Sequence, residues 1–282
     1  MVVRRLWWWW GFDVGDMSSD EEEFGVVQVP GFDEMAGGDC LGILYMDYPK
    51  NSREYKRFNR LRQMKVGRQR VLSWEALREV GEEGRARGLI RENSPWDRMF
   101  SVAVGPSHRT MMVEFPSTFV FRPRPADRPN SDMDDPNVKA PPPEVYFYLF
   151  GQRQNWSLRQ FAVATGFYTD DELLQDIYTT AIWAMPDDHL FAWWPTLGAG
   201  PFGKKARVSA DSTKVDLFFL YCLYTGTPCA LHRCLAEYFA SYGKRQRRSR
   251  LIGGAFTTRI AQHCGLYYPF LMICRPQHHT SP

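Results

Sequence analysis

Two adjacent carboxylates, Asp170 and Asp171, are the first residues whose types and spacing suggest chemistry. With Tyr168 they spell Tyr-x-Asp-Asp, a string with which one class of polymerases holds catalytic magnesium on a β-hairpin. Here the pair lies where a helix is predicted to start, and acidic residues in a first helical turn interact favourably with the helix dipole. We interpret both residues as part of that helix start. Magnesium-dependent catalysis is the alternative.

A second chemical pattern runs from Gly198 to Lys205 and nearly spells a phosphate-binding loop. The residue after Lys204 should be Ser or Thr, so that its hydroxyl can bind magnesium, but it is Lys205. Pro201 also lacks the backbone N–H that such a loop would donate. We therefore expect no nucleotide cofactor at this segment.

The cysteines and nearby histidines form a third group of candidates. Cys222, Cys229, His232 and Cys234 could be four zinc ligands, but their spacing fits no common zinc motif. Cys222 and Cys234 fall in apolar helical patterns, where a thiol behaves as a small hydrophobic side chain, so we favour core packing. Neighbouring residues on a helix point in different directions, which argues against His263 and Cys264 as a catalytic pair. The sequence predicts no metal, no cofactor and no enzymatic activity.

Two strongly basic stretches remain. Residues 53–70 hold eight basic side chains and one acidic side chain, and residues 244–250 hold five basic side chains in seven positions. Either could be a solvated face or a phosphate-binding surface, and the second also resembles a nuclear-localisation signal. The candidate nucleic-acid-binding residues are Lys56, Arg57, Arg60, Arg62, Lys65, Arg68, Arg70, Lys244, Arg245, Arg247, Arg248 and Arg250.

The elements that must position these residues are mainly helices. Tyr55, Phe58, Leu61 and Met64 recur every three residues, which approximates one face of a helix. Later helices are predicted near 158–165, 170–183, 214–224 and 229–242, with residues 185–213 irregular. Capping boxes at Ser157 with Gln160 and at Thr169 with Glu172 start the first two of these helices.

Strands are predicted at 113–121 and 145–150, where β-branched and aromatic residues are concentrated. Between them, residues 122–143 contain seven prolines. The strands could pair across this segment as a long hairpin, or the segment could be a linker between domains. The fold class is therefore mainly α with a short β-hairpin, and its helices form helical hairpins of the helix-turn-helix kind.

A short pattern also repeats along the chain. Phe161-Ala162 followed by Gly166-Phe167-Tyr168 matches Ile260-Ala261 followed by Gly265-Leu266-Tyr267. A small alanine permits close helix contact, and a glycine four residues later permits a sharp turn. The two copies are either a chance match or two structurally equivalent helix ends.

The amino-acid composition further limits the classes of protein to which the chain can belong. The 282 residues carry a formal net charge of +3, and 44% are hydrophobic, so a core can form and a full-length disordered chain is excluded. No apolar run is long enough to cross a membrane, and Trp7 to Trp10 follow two arginines without the pattern of a signal peptide. The six cysteines are expected to be reduced thiols in an intracellular protein. A nuclear location is the more specific alternative, because residues 244–250 resemble a nuclear-localisation signal.

Several segments together resemble a known family. VEFPSTF (113–119), LFGQ (149–152) and SLRQFAVATGFYTDDEL (157–173) are similar, in this order, to the Athila-type plant retrotransposon family, the Arabidopsis retrotransposon first-open-reading-frame protein, C-terminal domain. DLFFLYCLYTG (216–226) and GGAFTTRIAQHCGL (253–266) continue the resemblance, which covers roughly residues 52–270. It implies a retroelement-derived protein without enzymatic activity, and it argues against a polymerase.

The chain is predicted to divide into five regions. Residues 1–51 are a disordered acidic segment, 52–121 a basic helical region, 122–143 a Pro-rich linker, 144–274 a helical domain and 275–282 a tail. The expected partners are non-specific nucleic acid or further copies of the chain, with no membrane. Two alternatives stay open, namely a capsid-like self-assembly module and a decayed copy without function.

Overall fold

The computed structural model describes residues 26–29, 48–66, 69–72, 74–79, 81–102, 105–123, 144–196, 210–242 and 250–267. Its helices are α1 (Arg53–Leu61), α2 (Trp74–Glu79), α3 (Glu83–Leu89), α4 (Pro95–Val102), α5 (Arg109–Thr118), α6 (Leu158–Ala164), α7 (Asp176–Thr179), α8 (Asp187–Trp193), α9 (Ala210–Thr225), α10 (Leu231–Ser241) and α11 (Gly254–His263). The strands are β1 (Val26–Val29), β2 (Gln69–Leu72), β3 (Val120–Phe121), β4 (Val145–Leu149) and β5 (Gln152–Trp156). The predicted fold class, mainly α with a short β-hairpin, is confirmed.

The strands form two small antiparallel sheets. β1 pairs with β2, with Val26 opposite Leu72, so a strand occurs inside the acidic segment where no regular structure was expected. β4 is the central strand of the other sheet, with Val120 opposite Tyr146 on one side and Asn155 opposite Tyr146 on the other. Of the two alternatives that the sequence left open for residues 122–143, the structure shows strands pairing on either side of this segment. The boundaries of the five regions stay a prediction.

The predicted strand at 113–121 is wrong for most of its length, because residues 113–118 belong to α5. This helix is buried around its whole circumference, and an apolar run buried on all sides carries no periodicity that separates helix from strand. The hydroxyls of Ser117 and Thr118 donate to the carbonyls of Val113 and Glu114, which satisfies their polar atoms inside the helix.

The core forms around α5 and includes residues on both sides of 122–143. The Phe115 ring lies 5.0 Å from Phe119, 4.8 Å from Phe147 and 4.9 Å from Phe239, measured between ring centroids. These contacts join α5 to β4 and to α10. Phe58 and Leu61 of α1, and Met64 just after it, are buried in the same core, while Tyr55 is half-buried. The predicted apolar face is therefore confirmed for three of its four residues.

A two-residue turn connects β4 to β5, a polar strand that was not predicted. Phe150 and Gly151 both have positive φ, at 51° and 73°. Positive φ at both central residues is what a two-residue turn needs in order to match the right-handed twist of the strands it connects. The Glu114 carboxylate accepts hydrogen bonds from the Phe150 N–H at 2.7 Å and the Gly151 N–H at 2.8 Å. Burial raises the pKa of Glu114 to about 7, although the two N–H groups act in the opposite direction.

The capping box at Ser157 is confirmed. The Gln160 N–H donates to the Ser157 hydroxyl at 3.2 Å, and the Gln160 side-chain oxygen accepts from the Ser157 N–H at 2.8 Å. The predicted helix at 170–183 is wrong, because extended backbone at Gln175 separates a short 3-10 helix at Asp171–Leu174 from α7. Residues 185–213 are also not wholly irregular, since α8 begins after Pro186 with two acidic residues in its first turn.

The repeated Ala-x3-Gly pattern marks two equivalent helix ends. Gly166 follows α6 with φ of 78°, and Gly265 follows α11 with φ of 66°. In each copy the alanine four residues earlier, Ala162 or Ala261, is fully buried. A Cβ on Gly166 would lie 3.2 Å from the Arg259 guanidinium, so the end of α6 is in contact with a side chain of α11.

Candidate nucleic-acid interface

The first basic stretch lies next to both flanks of the second, although the two are far apart in sequence. The Leu251 N–H donates to the Lys65 carbonyl at 2.9 Å, and Val66 and Leu251 form a parallel β-bridge. The Arg60 guanidinium also donates to the Tyr242 carbonyl at 2.8 Å. The end of the first stretch is thereby attached to both flanks of the second.

Two of the candidate arginines hold α1 in place. Arg57 donates to the Phe119 carbonyl at 2.9 Å, and Arg60 makes the bond to Tyr242. Burial, followed by repulsion from Arg53 and Arg60, lowers the pKa of Arg57 to about 10, so its charge is kept at neutral pH. Both side chains are partly buried, and their geometry is that of carbonyl donors rather than of a phosphate-binding surface.

Three of the cations that face solvent lie next to the junction of the stretches. Arg62, Lys65 and Arg250 are exposed, and we call these three residues the basic seam. The Arg62 guanidinium lies 5.7 Å from the centroid of the Phe58 ring, which places its aliphatic part over the apolar face of α1. Lys56 is exposed as well, but on α1 itself.

The structure describes the remaining candidate residues only in part. Arg70 lies in β2, where only the backbone is described. Arg68, Lys244, Arg245, Arg247 and Arg248 lie outside the described residues. Within the described part of the chain, the two stretches therefore contribute two structural arginines and five solvent-facing cations, since Arg53 at the start of α1 is also exposed.

The Tyr-x-Asp-Asp string is a helix start. Tyr168 is buried, and its hydroxyl donates to the Cys229 carbonyl at 2.7 Å; burial raises the pKa of this phenol above its usual range. Thr169 and Glu172 exchange hydrogen bonds at 2.9 and 3.4 Å, which confirms the second capping box. Asp170 and Asp171 are exposed at the start of the 3-10 helix.

Glu172 also reaches the Arg98 guanidinium at 2.5 Å. Burial acts to raise the pKa of Glu172, but the hydrogen bonds from Arg98 and Thr169 outweigh it, so the pKa is lowered. Glu172 thus anchors the helix start to α4. Among the residues that the structure describes, no three His, Cys, Asp or Glu side chains form a group that could hold a metal ion.

The cysteine and histidine candidates belong mainly to the core. Cys222 and Cys229 are buried and Cys234 is half-buried. The His232 ring stacks on Tyr178 at 4.9 Å, and burial, with a smaller effect of Arg233, lowers its pKa to about 3. Burial raises the pKa of Cys264 to about 11, which removes the thiolate that a nucleophile needs. The loop-like segment from Gly198 to Lys205 lies outside the described residues.

A second surface feature was not predicted from the sequence. A cleft of about 590 Å³ lies between the N-terminal end of α1 and the outer face of the sheet formed by β3, β4 and β5. Its lining includes Tyr48, Glu54, Arg122, Tyr146, Tyr148 and Arg153. The alternation of Tyr with buried apolar residues in VYFYL was the available signal, since alternate residues of a strand point to opposite faces.

Comparisons with protein-family models, with curated proteins and with solved structures found no match. In the described segments, no helix has the length and apolar character needed to cross a membrane. The interpretation of the surface therefore depends on the chain's own residues, their positions and their charges.

Proposed function

We propose that this chain is a non-enzymatic, retrotransposon-derived protein that binds nucleic acid without sequence specificity, through phosphate contacts at the basic seam. One observation carries the proposal. The fold joins Lys65 of the first basic stretch to Leu251, the residue directly after the second, by a hydrogen bond, and it leaves Arg62, Lys65 and Arg250 exposed at the junction. Several cations on one surface are what binding to a phosphate backbone requires.

The acidic helix start limits the mode of binding. A recognition helix that enters a DNA groove needs polar, base-reaching residues after its turn, whereas the turn after α6 presents the exposed carboxylates of Asp170 and Asp171. These carboxylates would repel phosphate. The proposal is therefore restricted to electrostatic binding of the phosphate backbone, without reading of the base sequence. The family resemblance supports a role in a retroelement.

The first prediction concerns salt. We expect the full chain to bind a labelled 30-nucleotide DNA, with affinity that falls steeply as salt rises, because binding releases counterions. The variant Arg62→Gln with Lys65→Gln should lower the slope of log affinity against log salt by about 1–2, since each lost phosphate contact removes about 0.7–0.9. Fluorescence anisotropy across a salt series measures the slope.

A matched control variant distinguishes loss of the basic seam from a general loss of positive charge. The variant Arg85→Gln with Arg91→Gln removes the same charge from two other exposed positions and should leave the slope within error of the original. Equal losses in the two variants would contradict a local binding surface. If the unmodified chain does not bind at low salt, the proposal is refuted, and self-assembly or a copy without function remains.

Self-assembly is the second candidate because apolar side chains are exposed on α8 and α9. Phe191 is 39% exposed and Tyr224 is 38% exposed, and the rings of Trp193 and Tyr224 lie 6.1 Å apart between these helices. Aromatic side chains of this kind are typical anchors of protein interfaces.

If the exposed aromatic side chains Phe191 and Tyr224 join copies of the chain, sedimentation velocity should show oligomers whose size increases with protein concentration. Phe191→Ser with Tyr224→Ser should return them to monomers. Leu174→Ser, which alters a residue that is 76% exposed in the 3-10 helix after Thr169, should leave the oligomers intact. A strictly monomeric original chain at high concentration would contradict this candidate.

A further inference from the structure

The outer face of the three-stranded sheet carries two tyrosines. Val145, Phe147 and Leu149 of β4 are buried, and Tyr146 and Tyr148 alternate with them and are half-buried. One face of the sheet thus contributes to the core, and the other lines the cleft. A half-buried ring keeps part of its surface available to a ligand while its neighbours hold it in place.

Two cations flank the central tyrosine. The guanidinium of Arg122 lies 5.6 Å from the Tyr146 ring centroid, and that of Arg153 lies 6.0 Å from it. Both arginines are exposed. Arg153 is oriented by a 3.0 Å hydrogen bond from its Nε to the Asn155 side chain, so it is directed along the sheet face by a neighbouring residue.

The opposite wall of the cleft is formed by the segment that starts α1. Its lining includes Tyr48, Pro49, Ser52 and the half-buried carboxylate of Glu54. A carboxylate repels phosphate but accepts hydrogen bonds from N–H groups, including the N3–H of an unpaired thymine. The cleft therefore combines an aromatic surface, two cations at the sheet and one acceptor on the far wall.

We infer that this cleft binds one base of a single-stranded nucleic acid, stacked on Tyr146, with the neighbouring phosphates at Arg122 and Arg153. The inference rests on the proposed function and specifies the type of nucleic acid. The cleft volume of about 590 Å³ lies in the range of about 300–1,000 Å³ that is usual for small-ligand sites. A base in a duplex is already stacked and paired, so only an unpaired base can enter.

Stacking on an aromatic ring and contact between phosphate and arginine are the two components of sequence-tolerant single-strand binding. The basic seam as defined supplies only the second component, because none of its three residues is aromatic. The cleft supplies both. The two sites therefore make different predictions for an oligonucleotide that lacks its bases.

The test uses the full chain and two labelled probes, a 12-nucleotide oligothymidine and an abasic 12-mer with the same number of phosphates. We expect the unmodified chain to bind oligothymidine at least about tenfold more tightly than the abasic strand, as stacking of one base allows. Tyr146→Leu should reduce this ratio to about one, and Tyr146→Phe, which keeps the ring, should preserve it. The seam variant Arg62→Gln with Lys65→Gln should weaken both probes equally and leave the ratio unchanged.

The outcomes separate the inference from the proposed function. Equal binding of both probes by the unmodified chain overturns the inference and leaves phosphate binding at the seam. Binding of neither probe overturns both. If Tyr146→Leu keeps the tighter binding of oligothymidine over the abasic strand, the base stacks at another site, and the inference is overturned.

A crosslinking experiment keeps the inference testable if Tyr146→Leu does not fold. Oligothymidine with one 5-iodouracil should, after irradiation, attach to the peptide that contains Tyr146 and Tyr148, because a stacked halogenated base reacts with the ring it contacts. Mass spectrometry identifies the peptide. Crosslinks found only on other peptides would overturn the inference.

Discussion

Replacing Phe115 with Ala lowers the free energy of unfolding by about 3–5 kcal/mol, the usual cost of removing a fully buried aromatic ring. The Phe115 side chain is completely buried, and its ring contacts Phe119, Phe147 and Phe239. The substitution would open a cavity where α5, the sheet and α10 meet. Urea denaturation followed by circular dichroism measures the change.

The matched control is Phe191→Ala, which removes the same atoms from a position that is 39% exposed. Its cost should be below about 1 kcal/mol, because water already covers part of that ring. Similar losses for the two variants would contradict the position of Phe115 at the centre of the core.

The second large effect is a pH dependence of stability that arises from Glu114. Its pKa in the folded protein is raised by burial to about 7, whereas a carboxyl in the unfolded chain titrates near its ordinary value of 4.5. Between these values the folded state holds one more proton, so stability decreases as pH rises. The contribution is fully present below about pH 4.5, is lost progressively up to about pH 7, and amounts to about 3 kcal/mol.

Glu114→Gln removes this titration. We expect its free energy of unfolding, relative to that of the original chain, to improve by about 3 kcal/mol between pH 4.5 and pH 7.5. Glu172→Gln is the opposite control, since the pKa of Glu172 is lowered and its contribution is lost on acidification instead. A difference between Glu114→Gln and the original chain that stays constant with pH would refute the assignment.

Local signals in the sequence predicted the parts of the fold that depend on local interactions. Ser157 and Gln160 define a helix start within four residues, and Phe58, Leu61 and Met64 define one buried face. α5 and β5 could not be assigned in this way. The residues of α5 are buried on every side, and the polar side chains of β5 show no alternation because it is an edge strand.

The candidate surface was predictable only in part. The two runs of basic residues are visible in the sequence, but not that Arg57 and Arg60 donate to backbone carbonyls while Arg62 and Lys65 face solvent. That distinction depends on how α1 is oriented against α5 and α10. The cleft was missed because Arg122 and Tyr146 come together only through the pairing of β3 with β4. Glu54 reaches the same place only because α1 is held against Phe119 by Arg57.

The contact between Lys65 and Leu251 has a consequence for the order of events during synthesis. The nearby bond from Arg60 to Tyr242 joins residues 182 positions apart, and such long-range contacts form only after the intervening chain has emerged and folded. A nascent or prematurely terminated chain that ends before Leu251 would carry the first basic run without its counterpart. Completion of the polypeptide is therefore the step that assembles the basic seam, and shortened translation products would lack it.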